Sequence, residues 1–224
     1  MKKITDLLKN RQRLGAWAGM AGSVLFVAVF WIEGWLRPGY QAHAMLVSEL
    51  SLGPRGWVQI ANFMVTGALL LLFCRGAAAA FIRSRLQKAG CMIMAAIGAG
   101  LLVSGPLVMD PVHTPLGLMR WQGFAHQLIG ALVFVLMPAC CFVFFCIFGK
   151  HRDWRCLRWP TLAAGLVLTV FLGFMRIAQD QYLQAYPFTE YIGYIQRGAL
   201  MMFMAWMFAF SLRLYRIGAR QPAD

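Results

Sequence analysis

Between Met109 and Gln127 the chain reads MDPVHTPLGLMRWQGFAHQ, placing Asp110, His113, Arg120 and His126 between two long apolar runs. Ionisable side chains at membrane depth are costly to keep, so they mark candidates for function. Further polar groups stand at the ends of other apolar runs: Ser48 and Glu49 after the first, Gln196 and Arg197 inside the start of the last. Three kinds of chemistry suit this set. Arg197 could meet Glu49 or Asp110 and lock helix ends together. Arg197 and Arg120 could instead grip a phosphate or carboxylate, with His126 and Gln196 as neutral donors. Asp110, His113 and His126, with Glu49, are also acceptable zinc ligands, and an open position on the metal would carry an activated water.

The spacing limits the metal reading. His113 follows Asp110 by three residues, but Pro111 and Pro115 disfavour a regular helix there. Ceramidase-like membrane hydrolases carry an HxxxH pair, which this chain lacks. Haem would need two histidines facing across a cavity, and His126 alone falls inside a run. Met201, Met202, Met204 and Met207 cover every face of a helix, as adaptable packing does. Ser48 and Ser51 have no histidine at a catalytic spacing, and Gly53-Pro54-Arg55-Gly56 reads as a turn, not a phosphate loop.

Composition decides what must position these residues. The chain has 224 residues, 60% apolar and 13% charged, with a mean hydropathy of +0.63. A soluble domain is typically about one quarter charged. Several runs reach the length of about 20 residues that crosses a bilayer. One membrane domain accounts for the chain, with no linker or internal repeat. A net charge of +13 would suggest nucleic acid in a soluble protein, but topology accounts for the cations better and no nucleic-acid partner is expected. The six cysteines lack zinc-type CxxC pairing and read as small buried apolar side chains without a disulfide.

Residues 1–14 form a basic amphipathic segment suited to lie on an anionic leaflet. Residues 15–36 are the first span, too long for the core of a signal peptide although Ala42-His43-Ala44 resembles a cleavage site. Pro38 and Gly39 stop that helix, and the segment up to Gly56 is too apolar for a free loop. Further spans are expected at 57–82, 91–109, 123–148, 160–177 and 192–214. In the third, Ala96, Gly100 and Ser104 recur every fourth residue, a pattern of close helix contact. This gives an all-α bundle of six spans over 15–216, followed by a tail at 217–224.

Fifteen of the 21 Lys and Arg fall in Lys2–Arg13, Arg83–Lys88, Lys150–Arg158 and Arg213–Arg220, all on the side of the N-terminus. The positive-inside rule then puts both termini in the cytoplasm. Glu33, Glu49, Asp110, Asp180 and Glu190 gather on or near the other side, with His43, His113 and His126.

Ser48-Glu49-Leu50, Met109-Asp110-Pro111, His126 and Gln196-Arg197, in this order and placement, resemble the domain-of-unknown-function 998 family of six-span bacterial membrane proteins. The resemblance covers roughly residues 15 to 215. It implies a six-helix fold and an outer polar site at Ser48, Glu49, Asp110, His126 and Arg197, and it implies no reaction. The expectation is therefore a multi-pass protein of the bacterial inner membrane, with a polar pocket binding a lipid headgroup or small ligand. Glu49, Asp110, His126 and Arg197 stand at its centre, with Ser48, His113, Arg120 and Gln196 beside them. The alternatives are a zinc-dependent lipid hydrolase using Asp110, His113 and His126, and a purely structural polar network.

Overall fold

The computed structural model describes residues 2–81, 84–112, 114–179 and 190–220. Among the described residues there is no strand, and six long helices dominate. They are α1 (Lys2–Leu36), α2 (Gly56–Phe81), α3 (Arg85–Ser104), α4 (Trp121–Lys150), α5 (Arg158–Gln179) and α6 (Ile192–Arg220). Each contains a stretch long and apolar enough to cross a membrane.

Each helix packs on the next in sequence, and α6 returns to α1, closing a ring. Two 3-10 turns plug its ends. Val47–Ser51 lies against α1, α2 and α6 at one end, and Arg152–Leu157 lies against α4, α5 and α6 at the other. The first is here called the loop end. The second is the terminal end, where the Gln12 amide on α1 donates to the Leu214 carbonyl on α6 at 3.0 Å.

Glycine decides where the helices cross most closely. A Cβ on Gly15 of α1 would lie 2.7 Å from the Cα of Gly76 on α2, and one on Gly67 of α2 would lie 2.6 Å from the Gly98 carbonyl on α3. Backbones therefore touch at these crossings, as small residues permit in a bilayer. The expected row of small residues on α3 is only partly a contact. A Cβ on Gly100 would meet Val133 of α4 at 2.5 Å, while Ala96 is exposed.

Several boundaries differ from those expected: α3 stops at Ser104, five residues before Met109, and α6 runs on to Arg220. Helix α3 begins at Arg85, six residues before the apolar run at Cys91, because the Ser84 side chain accepts from the Gln87 N–H at 3.3 Å and caps it. Arg85 and Lys88 are thus the first turn of a helix. The basic N-terminal segment continues into the first span as one helix, since α1 runs unbroken from Lys2. Of the six free cysteines, Cys74, Cys91, Cys140 and Cys141 are buried, whereas Cys146 and Cys156 are exposed.

The terminal half is aromatic. Phe148 and Trp154 stack with their centres 5.2 Å apart and 8° between planes, and Phe210 meets Phe144 edge-on at 4.8 Å. The loop half is where the ionisable side chains Glu33, Glu49, Asp110, His126 and Arg197 are buried.

Candidate functional site

Arg197 is the largest polar side chain in the core, 1% exposed, one turn inside the start of α6. The first N–H groups and the carbonyls nearby need partners, and the 40–47 segment supplies them. That segment folds over the start of α6, so that the Tyr194 N–H donates to the His43 carbonyl at 3.2 Å. It lies so close that a Cβ on Gly193 would sit 2.5 Å from the carbonyl oxygens of Ala42 and Met45. Both oxygens turn toward Arg197, whose Nη1 donates to Ala42 at 2.7 Å, Met45 at 2.9 Å and Gly193 at 3.1 Å. Nη2 donates to the Tyr40 hydroxyl, which donates onward to the Leu46 carbonyl at 2.8 Å. Burial pushes the Tyr40 hydroxyl up from its ordinary pKa and outweighs the pull of the neighbouring guanidinium, so it stays protonated at neutral pH. Tyr40, Trp31 and Phe30 rings lie 5.3, 5.6 and 5.9 Å from the guanidinium carbon. Where the sequence suggests a carboxylate partner, Arg197 is held by carbonyl oxygens, a hydroxyl and aromatic faces.

Its neighbour Gln196 anchors the same segment, its Oε1 accepting from the Val47 N–H at 2.7 Å. Glu49, 7% exposed, accepts from the Leu46 N–H at 2.7 Å and so closes the Val47–Ser51 turn on itself. The Glu49 carbonyl accepts from Arg37 at 2.7 Å.

Asp110 serves a different helix. It is 4% exposed and sits over the N-terminus of α4, accepting from the Arg120 backbone N–H at 2.9 Å and from Arg120 Nε at 2.7 Å. A carboxylate there satisfies an orphan donor and faces the positive end of the helix dipole. The Arg120 side chain holds the Asp110 carboxyl below the usual carboxylate range, against the opposing pull of desolvation. Gly123 leaves room for it, because a Cβ there would lie 2.7 Å from the Asp110 carboxyl carbon.

His126, 6% exposed, lies one turn further along α4. Its Nδ1 faces two acceptors, the carbonyls of Leu107 at 2.7 Å and Ser104 at 3.1 Å, so Nδ1 carries a proton and ties α4 to the end of α3. In the neutral form of the ring, Nε2 is then an acceptor. His126 lines a cavity of about 30 Å³ together with Ser48, Ser104, Gln196, Gly130 and apolar side chains that include Phe63, Val133 and Leu200. That volume holds roughly one or two waters. Among the described residues, the Ser48 and Ser104 hydroxyls, Gln196 Nε2 and His126 Nε2 have no protein partner.

The predicted set therefore divides into three places. Ser48, His126 and Gln196 share the cavity; Arg197 and Glu49 hold the 40–51 segment; Asp110 and Arg120 cap α4. His113 lies outside the described residues. Among the described residues no three His, Cys, Asp or Glu side chains gather closely enough to hold a metal ion.

In the sequence Ser104 is legible only as a member of the small-residue row on α3. A further row escapes sequence reasoning altogether. Gln59, Asn62 and Thr66, at i, i+3 and i+7 on α2, are all buried, and Gln59 Nε2, Asn62 Oδ1 and Thr66 Oγ1 lack partners. Asn62 Nδ2 donates to the Phe26 carbonyl at 3.2 Å and to Gln59 Oε1 at 3.3 Å. Helical spacing of neutral polar side chains is the signal that could have found them.

No curated protein and no solved structure matches the chain. Six spans closed into a ring, with the Ser48-Glu49, Asp110, His126 and Gln196-Arg197 positions all at one end, accompany a match over residues 20–213 to the model of the protein family of unknown function DUF998, and the chain belongs to that family.

Proposed function

We propose that this protein lies in a bacterial cytoplasmic membrane with both termini in the cytoplasm, and that its outward-facing end binds a lipid headgroup or small amphiphile. The orientation rests on the cations collected at the terminal end. The observation that carries the binding reading is the cavity where Ser48, Ser104, His126 and Gln196 present polar atoms without protein partners beside apolar walls. Binding sites of this kind combine apolar lining with a few convergent polar groups. The lining contains no Asp, Glu, Lys or Arg, so the group it suits is an uncharged one, such as a hydroxyl, amide or ester. Its size admits one such group, with the remainder of the molecule outside.

Gly130 gives a direct test. It lines the cavity, and nothing lies within 4 Å of where its Cβ would be. Gly130→Leu, whose Cβ meets no described atom within 4 Å, should take up this space and, in a helix, gain up to about 1 kcal/mol of propensity. Native mass spectrometry with lipid extraction should find a co-purifying amphiphile on the wild type that is depleted on Gly130→Leu, with the melting temperature kept or raised. Equal bound lipid on both proteins would remove the reading.

The second reading, a purely structural network, is supported by the hydrogen bonds that hold Asp110 and both terminal nitrogens of Arg197. It gives the opposite result in the same experiment.

A further inference from the structure

Arg158 opens α5 at the terminal end, far from the cavity and from the Arg197 cradle. Its guanidinium carbon lies 4.9 Å from the centre of the Phe145 ring and 5.2 Å from that of Trp159. Gly149 on α4 makes this seat possible, since a Cβ there would come within 3.0 Å of Arg158 Nε and 3.2 Å of its Cζ. Among the described residues the Arg158 side chain forms no hydrogen bond or ion pair, and its Nε is closed off from solvent without a partner. Arg213, another arginine near this connection, is already committed to the Asp153 carbonyl.

A guanidinium on two aromatic faces keeps its orientation, and its free Nη donors form a planar fork suited to phosphate. Trp159, 64% exposed on the outside of the ring, has the character of an anchor at the membrane–water boundary. Lys150, Arg152 and Arg155 stand within eight residues of Arg158 and raise the local positive potential. The platform thus combines an apolar surface for acyl chains with an uncompensated cation at headgroup level. We propose that Arg158, seated on Phe145 and Trp159, binds the phosphate of an anionic phospholipid. A free phosphate ion would satisfy the same fork but has no use for an exposed indole beside it, so the lipid is the occupant argued for.

The test uses the full chain in nanodiscs of phosphatidylcholine doped with phosphatidylglycerol, reading by native mass spectrometry which lipid stays bound at increasing collision energy. Wild type should retain phosphatidylglycerol preferentially. Arg158→Gln should lose that preference by about tenfold, the loss expected for a charge-assisted hydrogen bond of at least about 1.4 kcal/mol. Gly149→Val, which keeps every charge but displaces the guanidinium, should lose it to a similar degree and covers the case in which Arg158→Gln fails to fold. Arg216→Gln, an exposed cation at the same end, should retain it. The proposal is overturned by unchanged retention in both Arg158→Gln and Gly149→Val, or by an equal loss in Arg216→Gln, which would make the preference a property of net charge. Displacement of the lipid from wild type by inorganic phosphate would overturn it too, leaving a site for a soluble anion. Because the cavity variant Gly130→Leu changes nothing at this end, failure here and failure at the loop end are separable.

Discussion

In the terminal half of the bundle, Phe144, Phe148, Trp154, Trp206 and Phe210 fill the centre with ring against ring. In the loop half the same central position holds Arg197, Gln196, Glu49, Gln59, Asn62 and Thr66, all buried. Aromatic packing is tolerant of direction and needs no partner-by-partner matching. The polar half depends on matching donors to acceptors, since an unpaired buried group costs about 1–3 kcal/mol, and it leaves Gln59 Nε2, Asn62 Oδ1, Thr66 Oγ1 and Arg197 Nε unmatched. Here the backbone supplies much of that matching, because the 40–47 segment aims its carbonyls inward. A buried cation therefore sits in the membrane domain at a helix start without a carboxylate among the hydrogen-bond partners described for it. Two ways of filling a core follow, one mainly by aromatic packing and one built on hydrogen bonding.

The sharpest way to break this contrast is to remove a key residue from each half. Arg197→Ala should cost about 3–5 kcal/mol, through lost volume and through carbonyls left without donors. That is roughly a 10 °C fall in melting temperature for a chain of this size. Phe210→Ala should cost a similar amount through its cavity alone. Arg197→Met separates the causes by restoring bulk without donors. If Arg197→Met melts with the wild type in a fluorescence-based thermal scan, hydrogen bonding is not what holds the loop half together.

Gly123→Ala ranks next. Its methyl group would press on the Asp110 carboxyl carbon, 2.7 Å from the ideal Cβ position. Overpacking of this kind typically costs about 1–3 kcal/mol. The melting temperature should fall, and Asp110→Ala in the same chain should recover part of the loss by clearing the space. No recovery would place the clash elsewhere.

Acid should then distinguish the two halves. The folded-state pKa of Asp110 is depressed, so the stability it contributes is fully present above its unfolded value of about 3.9. That contribution is lost as pH falls through the lower folded value. The wild type should therefore show a drop in melting temperature across that acid window, and Asp110→Asn should show a smaller one. Phe210→Ala, a terminal-half change, should leave the size of the acid-induced drop as it is in wild type. Parallel wild-type and Asp110→Asn curves would detach the carboxylate from stability.

The smallest effect is expected at Arg55 and Glu33, which pair at 2.5 Å with the arginine side chain largely exposed. Exposed pairs contribute little and are screened by salt. Arg55→Gln should shift the melting temperature less than any variant above, and added salt should erase the shift.

Legibility in the sequence follows the same division. The six spans show themselves because an apolar run of about 20 residues matches the thickness of a hydrocarbon core. The early start of α3 stays hidden because Arg85 and Lys88 look like a turn, although Ser84 and Gln87 have the spacing of a cap. The partners of Arg197 cannot be read at all. Every residue offers the same carbonyl, so a side-chain inventory points to Glu49 and Asp110 as the acids in reach and says nothing about Ala42 and Met45. The cavity is half visible: Ser48, His126 and Gln196 draw notice as polar groups at span ends, whereas Phe63 and Gly130 are ordinary residues of apolar helices.

The length of α1 has a practical consequence. Its 35 residues rise about 52 Å at 1.5 Å each, whereas a hydrocarbon core is about 30 Å thick. Roughly four turns must stand clear of the acyl chains as one stiff rod. A reporter fused ahead of Lys2 by a helical junction would thus be carried on a mast instead of a tether. Each inserted residue would swing it by about 100° and lift it by about 1.5 Å, which makes this terminus a graduated handle for fixing the orientation of a small membrane protein in images.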